Sequence, residues 1–249
     1  MKPVAVVRSP QNARVRAAAA LSRRKIRAGV GRYLVEGPRC VDELLPTGDL
    51  DEVFVVPGRA DDVAEAARRA GVRVTLVDED VLARLAPSVT PQGVVAVARQ
   101  RPARLEDVVG AGHLIVLAGV SDPGNAGTAI RTAGASGAAG VVLTTGSVDP
   151  WNPKAVRASA GAVGRLPVVA GVAVAQVLQA CRSVGQRCVA LDAAGTVGID
   201  APRVLAPPVA LLFGNESHGL DAVTLDAVDA VVAIPLYGPV GSLNLAAAV

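Results

Sequence analysis

The sequence predicts an α/β protein with two domains, a small α/β domain followed by a larger domain built around a parallel sheet. A length of 249 residues suffices for one large domain or two modest ones. Apolar strand-like segments alternate with helix-like segments in both halves of the chain. This alternation is lost between residues 99 and 112. We therefore predict domains at 1–98 and 113–249, joined by a linker at 99–112.

Composition excludes several classes of protein. Hydrophobic residues make up 51% of the chain and charged residues 19%, which excludes a disordered chain, because such chains bury too little apolar surface. No segment has the roughly 18 to 20 continuous apolar residues that a membrane-spanning helix requires. The first forty residues contain no apolar signal-peptide core. We expect a cytoplasmic protein with no membrane partner.

The cysteines and histidines do not predict a metal site. Cys40, Cys181 and Cys188 match neither zinc-binding nor redox CxxC spacing, and the chain has two histidines. Buried, reduced thiols are the interpretation that fits a cytoplasmic protein.

The first half begins with an alanine-rich segment, residues 12–28, that has leucine and valine at helical spacing and is followed by Gly29. This pattern predicts one basic helix that ends at the glycine. Apolar periodicity then predicts strands and helices in alternation. The predicted strands are 33–36, 52–56, 72–77 and 93–98, and the predicted helices or helical turns are 38–45, 61–70 and 79–85.

The second half contains near-continuous apolar runs, which are typical of parallel strands covered on both faces by helices. Ligands of such sheets usually bind beyond the carboxyl ends of the strands. The predicted strands are 114–119, 140–144, 188–193, 209–214 and 230–236, and the predicted helices are 126–136, 153–160, 173–183 and 220–227. The final segment, 243–249, reads as the apolar beginning of a helix, and we expect that helix to continue beyond the last residue.

Positive charge is concentrated at the start of the chain. Residues 1–40 hold ten lysines and arginines and one acid, Glu36, whereas the whole chain has a net charge of only +3. Such asymmetry favours a polyanionic partner such as RNA, although a solvated helix face would give the same pattern. The chain has only five aromatic residues, so few side chains are available to stack on bases.

Three segments follow predicted strands of the second domain. The first, GVSDPGNAGTAIRTAG at 119–134, places Asn125 where a helix cap is expected and carries Arg131 on an otherwise small, apolar helix. Arg131 is either a surface cation or, as the apolar helix favours, a residue with a buried partner or an anion site. The glycines match neither a dinucleotide-binding fingerprint nor a P-loop.

The other two segments place polar residues at strand ends. LLFGNESHGL at 211–220 carries Glu216, which is either a capping group or a catalytic carboxylate, and His218, which is either a base or a loop hydrogen-bonding residue. IPLYGPVGSLNL at 234–245 places Ser242 where it would cap the final helix and Asn244 in its first turn. Its proline and glycine loop is expected where a flat ligand rests against backbone amides.

Together, DPGNAGTAIRTAG, FGNESHGL and IPLYGPVGSLNLAAA resemble, in order and spacing, the three motifs of the SpoU (TrmH) family of RNA ribose 2′-O-methyltransferases in the SPOUT superfamily. The N-terminal RSPQNARVRAAAALSRRKIRAGVGRYLVEGPRCVDELL resembles the substrate-binding domain of the ribosomal-RNA branch of that family. The resemblance covers nearly the whole chain.

The resemblance implies a parallel-sheet domain with a deep trefoil knot, preceded by an RNA-binding domain, and a homodimer whose active sites use both subunits. It implies that S-adenosylmethionine is held around Gly214, Ile234 and Leu243, with Leu191 as a further candidate. The residues that match the family's catalytic set are Asn125, Arg131, Glu216, Ser242 and Asn244.

The expected reaction needs neither a metal nor a covalent intermediate. Arginine is effectively never deprotonated, so we expect Arg131 to clamp a phosphate and stabilise alkoxide charge, with Asn125 orienting it, while phosphate, water or Glu216 accepts the proton. We expect Ser242 and Asn244 to fix the ribose and the loop. Transfer RNA as substrate, and a non-catalytic RNA-binding protein of the same fold, are the alternatives.

Overall fold

The structure is a computed structural model that describes residues 5–239 and 241–249. Lys2, one of the cations of the basic segment, lies outside the described residues. The described chain divides into two compact units. The first unit comprises the residues up to Gln100 together with Trp151–Arg165, and the second comprises Arg101–Pro150 together with Leu166–Val249.

Strands and helices alternate along the chain, as predicted. The strands are β1 (Arg32–Glu36), β2 (Leu50–Val55), β3 (Arg73–Leu76), β4 (Val94–Arg99), β5 (His113–Leu117), β6 (Gly140–Thr144), β7 (Val168–Val172), β8 (Arg187–Leu191), β9 (Val197–Gly198), β10 (Val209–Phe213) and β11 (Ala230–Ala233). The helices are α1 (Ala13–Ala20), α2 (Arg24–Val30), α3 (Pro38–Leu44), α4 (Asp61–Arg69), α5 (Glu79–Leu85), α6 (Pro123–Ala135), α7 (Pro153–Ala158), α8 (Val174–Ser183), α9 (Ala222–Ala227) and α10 (Leu245–Ala248).

The first unit is built on a four-stranded sheet in the order β1-β4-β2-β3. β4 is antiparallel to β1 and β2, and β2 is parallel to β3. Val15, Leu34, Phe54 and Leu82 are among the side chains that form its buried core. This unit is therefore a small mixed α/β domain.

The basic segment forms two helices, so the prediction of one helix over 12–28 is wrong. α1 ends at Ala20, and α2 continues through Gly29 to Gly31, whose left-handed φ of 64° ends it. The break is stabilised by Arg27, which is 2% exposed and donates from Nη1 to the carbonyl oxygens of Leu21 and Ser22. One cation of the basic segment is thus a structural residue.

The segment Trp151–Arg165 packs within the first unit, although it lies between two strands of the second unit in the chain. Its helix α7 contacts β1. Arg157 lies 3.8 Å from the buried carboxylate of Glu36, and Arg165 is ion-paired with Glu43. The boundaries drawn from the sequence did not separate this segment from the second domain.

The second unit is built on a seven-stranded sheet in the order β7-β6-β5-β10-β8-β11-β9, and its neighbouring strands are parallel. The buried apolar runs thus form the predicted parallel sheet. β7 and the two-residue β9 were not predicted. The chain adds β6 and β7 on one side of β5 and places β10 and β8 on the other, so the strand order reverses beside β5.

Apolar side chains of the central strands and of α8 form the core of the second unit, with Leu114, Val116, Ala210 and Leu212 among them. Cys40, Cys181 and Cys188 are buried and form no disulfide among the described residues, as the sequence predicts. None of the described helices is long and apolar enough to cross a membrane.

Leu212→Ala tests this core. Leu212 is 0% exposed on the central strand β10, and truncation leaves a cavity that we expect to lower the free energy of unfolding by about 2–5 kcal/mol. Denaturant unfolding measures the change. Val223→Ala, at a side chain that is 78% exposed, is the control and should change the free energy of unfolding by less than about 0.5 kcal/mol. Equal effects of the two variants would contradict the packing described.

Candidate active site

The register of the parallel strands places four loops at one edge of the second sheet. Leu117 pairs with Phe213, Phe213 pairs with Leu191, and Leu191 pairs with Val232. The carboxyl ends of β5, β10, β8 and β11 therefore lie side by side. The edge coincides with the reversal of strand order, where ligands of open α/β sheets bind.

The first of the three segments turns from β5 into α6. The N-cap of α6 is Asp122, whose carboxylate accepts from the backbone amide of Asn125 at 2.9 Å. The expectation that Asn125 caps this helix is therefore wrong. Because Asp122 caps the helix, the side-chain amide of Asn125 is available for contacts with the other segments.

Glu216, just beyond β10, joins the second segment to the first. Its Oε2 accepts from the backbone amide and the hydroxyl of Ser121, both at 3.1 Å. Its Oε1 accepts from the backbone amide of Asp122 and from Nδ2 of Asn125, also at 3.1 Å. One carboxylate thus receives four hydrogen bonds from the loop after β5, and Ser121 is a contributor that the sequence analysis did not select.

These contacts fix the ionisation of Glu216. Partial burial would raise the pKa of its carboxyl group, but hydrogen bonds from the amides of Ser121 and Asp122 and from the Asn125 side chain outweigh that effect. The pKa of Glu216 is therefore lowered from its ordinary value, and the group is a carboxylate at neutral pH. A carboxylate with four donors and a lowered pKa is a weak base.

The backbone after β10 closes tightly on itself. The amide of Asn215 donates to the carbonyl of Gly219 at 3.0 Å, the amide of Gly219 donates back at 2.9 Å, and Nδ2 of Asn215 donates to the carbonyl of Gly119 at 2.7 Å. A Cβ added at Gly214 would lie 2.2 Å from the carbonyl carbon of Gly219. This loop conformation therefore requires glycine at position 214.

The third segment reaches the first through Asn244. Its Oδ1 accepts from the amide of Ala246 at 2.9 Å and caps α10, while its Nδ2 donates to Oδ1 of Asn125 at 3.1 Å. The expectation that Ser242 caps the final helix is therefore wrong, because Asn244 does so. Asn125 is thus bonded on one side to Glu216 and on the other to Asn244.

A cavity of about 390 Å³ lies among these loops. All the residues predicted to hold a cofactor line it, as do four of the five predicted catalytic residues: Leu191, Gly214, Ile234, Leu243, Asn125, Glu216, Ser242 and Asn244. Asp192, Phe213 and Leu236 also line it and were not selected from the sequence. The structure brings these residues together, and their individual roles stay predictions.

Arg131 and His218 do not line the cavity. Arg131 is exposed on α6 and makes no hydrogen bond or ion pair within the part of the chain that the structure describes. Within one chain the Asn125 amide bonds to Glu216 and Asn244 and makes no hydrogen bond with Arg131, so the orienting role expected of Asn125 stays a prediction. His218 is exposed and makes no hydrogen bond with a described residue.

Metal ligands do not converge here. Among residues 5–239 and 241–249, no group of three or more histidine, cysteine, aspartate and glutamate side chains is arranged to hold a metal ion.

Two family models match the chain. The model described as the SpoU rRNA Methylase family matches residues 112–249, which is more than half of the chain. The chain belongs to this family. The model described as the MRM3-like substrate binding domain matches residues 12–96. The family predicted from the three motifs is thus confirmed, and the match to the SpoU rRNA Methylase model spans all three.

Several rRNA methyltransferases are similar to this chain over most of its length. The 23S rRNA (guanosine(2553)-2′-O)-methyltransferase RlmP of Bacillus subtilis is 30% identical over 247 residues, covering 97% of this chain and 95% of that protein. The 23S rRNA (guanosine-2′-O-)-methyltransferase RlmB of Ralstonia nicotianae is 32% identical over 211 residues, covering 80% and 84%. An AdoMet-bound rRNA methyltransferase from Sinorhizobium meliloti has a TM-score of 0.86 at 32% identity, covering 98% of this chain and 94% of that one.

The lowered pKa of Glu216 predicts a pH-dependent contribution to stability. Because the folded-state pKa lies below the unfolded value of about 4.3, the contribution is present above that value and is lost as the pH falls through the folded-state pKa. We expect Glu216→Gln to lower the free energy of unfolding at pH 7, and the difference from wild type to narrow near pH 4. Urea unfolding at both pH values measures it.

Asp226→Asn is the control, since Asp226 is an exposed carboxylate of the same unit without a hydrogen bond to any described residue. Its effect on stability should be small at both pH values. A Glu216→Gln effect that does not change between the two pH values would contradict the hydrogen-bonded carboxylate.

Proposed function

We propose that this chain transfers a methyl group from S-adenosylmethionine to a ribose 2′-hydroxyl of RNA, with large-subunit ribosomal RNA as its substrate. The observation that carries the proposal is the cavity at the reversal of strand order, where the three motif segments of a SpoU family member meet. The similar proteins RlmP and RlmB are named as 2′-O-methyltransferases of 23S rRNA.

The residues of the cavity fit S-adenosylmethionine. Its volume of about 390 Å³ lies within the range of roughly 300–1,000 Å³ that is common for small-molecule sites. Leu191, Ile234 and Leu243 offer apolar surface, and Asp192 and Asn244 offer polar groups. When bound, S-adenosylmethionine supplies a methyl group on a positively charged sulfonium.

The chain must hold the ribose in line for displacement and stabilise the charge that develops on its oxygen. Arg131 supplies a permanently charged guanidinium that pairs with the adjacent phosphate and with the developing alkoxide. Because its pKa is lowered and its oxygens are occupied, Glu216 holds the loop after β5. Because four hydrogen bonds already occupy the Glu216 oxygens, the proton passes to water or phosphate. These weak bases can accept it, since the hydroxyl becomes strongly acidic as its oxygen bonds the methyl carbon and the carbon–sulfur bond breaks.

Asn125 and Asn244 hold the third segment against the first through their shared hydrogen bond of 3.1 Å. This contact keeps the loop that contains Ser242 at the mouth of the cavity, where its hydroxyl faces the ribose. Asn125, Asn244 and Glu216 are accordingly positioning residues, and Arg131 is the catalytic residue that touches the substrate.

The placement of Arg131 supports a homodimer with active sites formed by both subunits. Within its own chain this residue is exposed and lies outside the cavity lining. If Arg131 reached the cavity of a partner subunit, it would supply the cation that the cavity lining lacks.

The path of the chain supports a trefoil knot. After β11, which pairs with β8, the chain returns across the strand ends to α6, where Asn244 bonds Asn125.

We further propose that residues 1–98 bind RNA, that 99–112 connect the domains, that 113–249 carry out catalysis, and that the protein is cytoplasmic. The match of residues 12–96 to a substrate-binding domain supports the first assignment.

Methyl transfer from tritiated donor to separated ribosomal and transfer RNA, followed by primer-extension mapping, tests the substrate. Label in transfer RNA alone would replace the ribosomal assignment, and label in neither would contradict a methyltransferase.

Gly214→Ala tests the donor site. An added Cβ would lie 2.2 Å from the backbone of Gly219, so the loop must move, and we expect donor affinity to fall by about tenfold or more. Titration calorimetry with S-adenosylmethionine measures this. Gly29→Ala is the control, because a Cβ there meets no atom within 4 Å. Unchanged affinity in Gly214→Ala would contradict the placement of the donor.

Arg131→Ala tests the clamp and the shared site. We expect normal donor affinity and a loss of methyl transfer of about 100-fold or more, as for other charge-stabilising groups. Mixed dimers of Arg131→Ala and Gly214→Ala chains should regain activity, because one intact cavity then meets the partner's intact arginine. Near wild-type transfer by Arg131→Ala would refute the clamp, and mixed dimers without activity would refute the shared site.

A further inference from the structure

A second concave surface lies in the first unit. We call it the basic groove; it has a volume of about 850 Å³. It is lined by Pro10, Gln11, Arg16, Ala19, Ala20, Ser22, Arg23, Leu34, Asp80, Arg84, Leu85, Ala86 and Pro87. Three arginines and one carboxylate, Asp80, therefore line a groove between α1 and α5, with Asp80 and Arg84 on the same helix.

The three arginines of the basic groove are unpaired among the residues that the structure describes. Arg16, Arg23 and Arg84 are exposed and make no hydrogen bond or ion pair with any residue in the described ranges. Seven arginines of the same unit are ion-paired, namely Arg14, Arg32, Arg59, Arg69, Arg99, Arg157 and Arg165. Others, such as Arg39, Arg68 and Arg73, are unpaired among the described residues but lie outside the groove. The basic groove therefore holds three guanidinium groups that are available to a ligand. Phosphate matches their charge and their paired N–H groups.

The groove also has an apolar wall. Ala19, Ala20 and Ala86 are half-buried and supply its accessible apolar surface, and Leu34 and Leu85, each 2% exposed, pack beneath them. A duplex presents its charged exterior to a protein, whereas a single strand exposes sugars and bases that can lie against such a wall. The lining contains no aromatic residue, so guanidinium planes would be the groups that stack on bases.

We propose that the basic groove binds a single-stranded segment of the substrate RNA, with its phosphates on Arg16, Arg23 and Arg84 and a sugar or base against the alanine wall. This inference rests on the proposed function and deepens it, because it places an RNA contact away from the reacting ribose. The groove sets how tightly RNA is held and takes no part in methyl transfer.

The test replaces Arg16, Arg23 and Arg84 by alanine in the full chain. Fluorescence anisotropy measures binding to a 23S rRNA transcript, to a short single-stranded RNA of mixed sequence and to a duplex of equal length. We expect affinity for the transcript and the single strand to fall by more than about tenfold. We expect the slope of log affinity against log salt to become shallower by about 2, or 0.7 for each lost phosphate contact.

The matched control replaces Arg39, Arg68 and Arg73 by alanine. These three residues are exposed, belong to the same unit, have no partner among the described residues and lie outside the groove. The control removes the same net charge and should change affinity by less than about threefold, because only long-range attraction is altered. Equal losses in the two triple variants would overturn the proposal, and so would a loss confined to the duplex.

A triple substitution by lysine guards against misfolding. It keeps the charge but removes the planar fork, so we expect intermediate affinity and a salt slope close to that of wild type. Steady-state methyl transfer provides the functional comparison. The alanine triple should raise KM for RNA by more than about tenfold while leaving kcat and donor affinity within about twofold.

Failure of this inference is distinguishable from failure of the proposed function. If wild type methylates ribosomal RNA and the alanine triple has an unchanged KM, the groove assignment is wrong and the function stands. If wild type binds the single strand through the groove but transfers no methyl group to any RNA, the proposed function is wrong and the groove remains an RNA site.

Discussion

The hydrogen-bonded carboxylate of Glu216 is the interaction on which the site depends. It follows β10 and accepts four hydrogen bonds from Ser121, Asp122 and Asn125, which follow β5. The parallel register makes this possible, because it ends both strands at the same edge of the sheet. Asn125 also accepts a hydrogen bond from Asn244, which holds the last segment of the chain against the first. Three segments that are distant in sequence thus enclose one cavity without a metal ligand set or a disulfide among the described residues.

The same interaction limits the chemistry that the site can perform. A carboxylate whose pKa is lowered by its donors holds the loop well and removes protons poorly. Arg131, the cation to which the proposed reaction assigns charge stabilisation, is on α6, is exposed and does not line the cavity of its own chain. The proposed function thus assigns S-adenosylmethionine binding to the cavity and charge stabilisation to the exposed face of α6. In the proposed homodimer, Arg131 of one subunit would complete the active site of the other.

Sequence patterns predicted those features that depend on neighbouring residues. Continuous apolar runs identified the parallel strands around β5, β10 and β8. The family resemblance selected eight of the residues that line the cavity, seven of them within the three motifs. Features set by the burial of a single side chain, by a choice between two nearby caps or by distant contacts were missed. The break between α1 and α2 depends on the buried Arg27, whose charge predicted exposure. The structure has Asp122 and Asn244 as the caps of α6 and α10. The sequence did not identify them, because it offers two acceptable capping residues near the start of each helix. The packing of Trp151–Arg165 in the first unit is set by ion pairs to residues more than a hundred positions away.

The central claim is that the loops joined by Glu216 and Asn125 form the donor site of an RNA ribose methyltransferase. A crystal structure of the full chain with S-adenosylmethionine tests it most directly. The account predicts the donor in the cavity between Leu191, Gly214 and Leu243, with its sulfonium methyl group open to solvent on the side of Ser242. A donor bound elsewhere, or an empty cavity in a folded chain at saturating donor, would contradict the account.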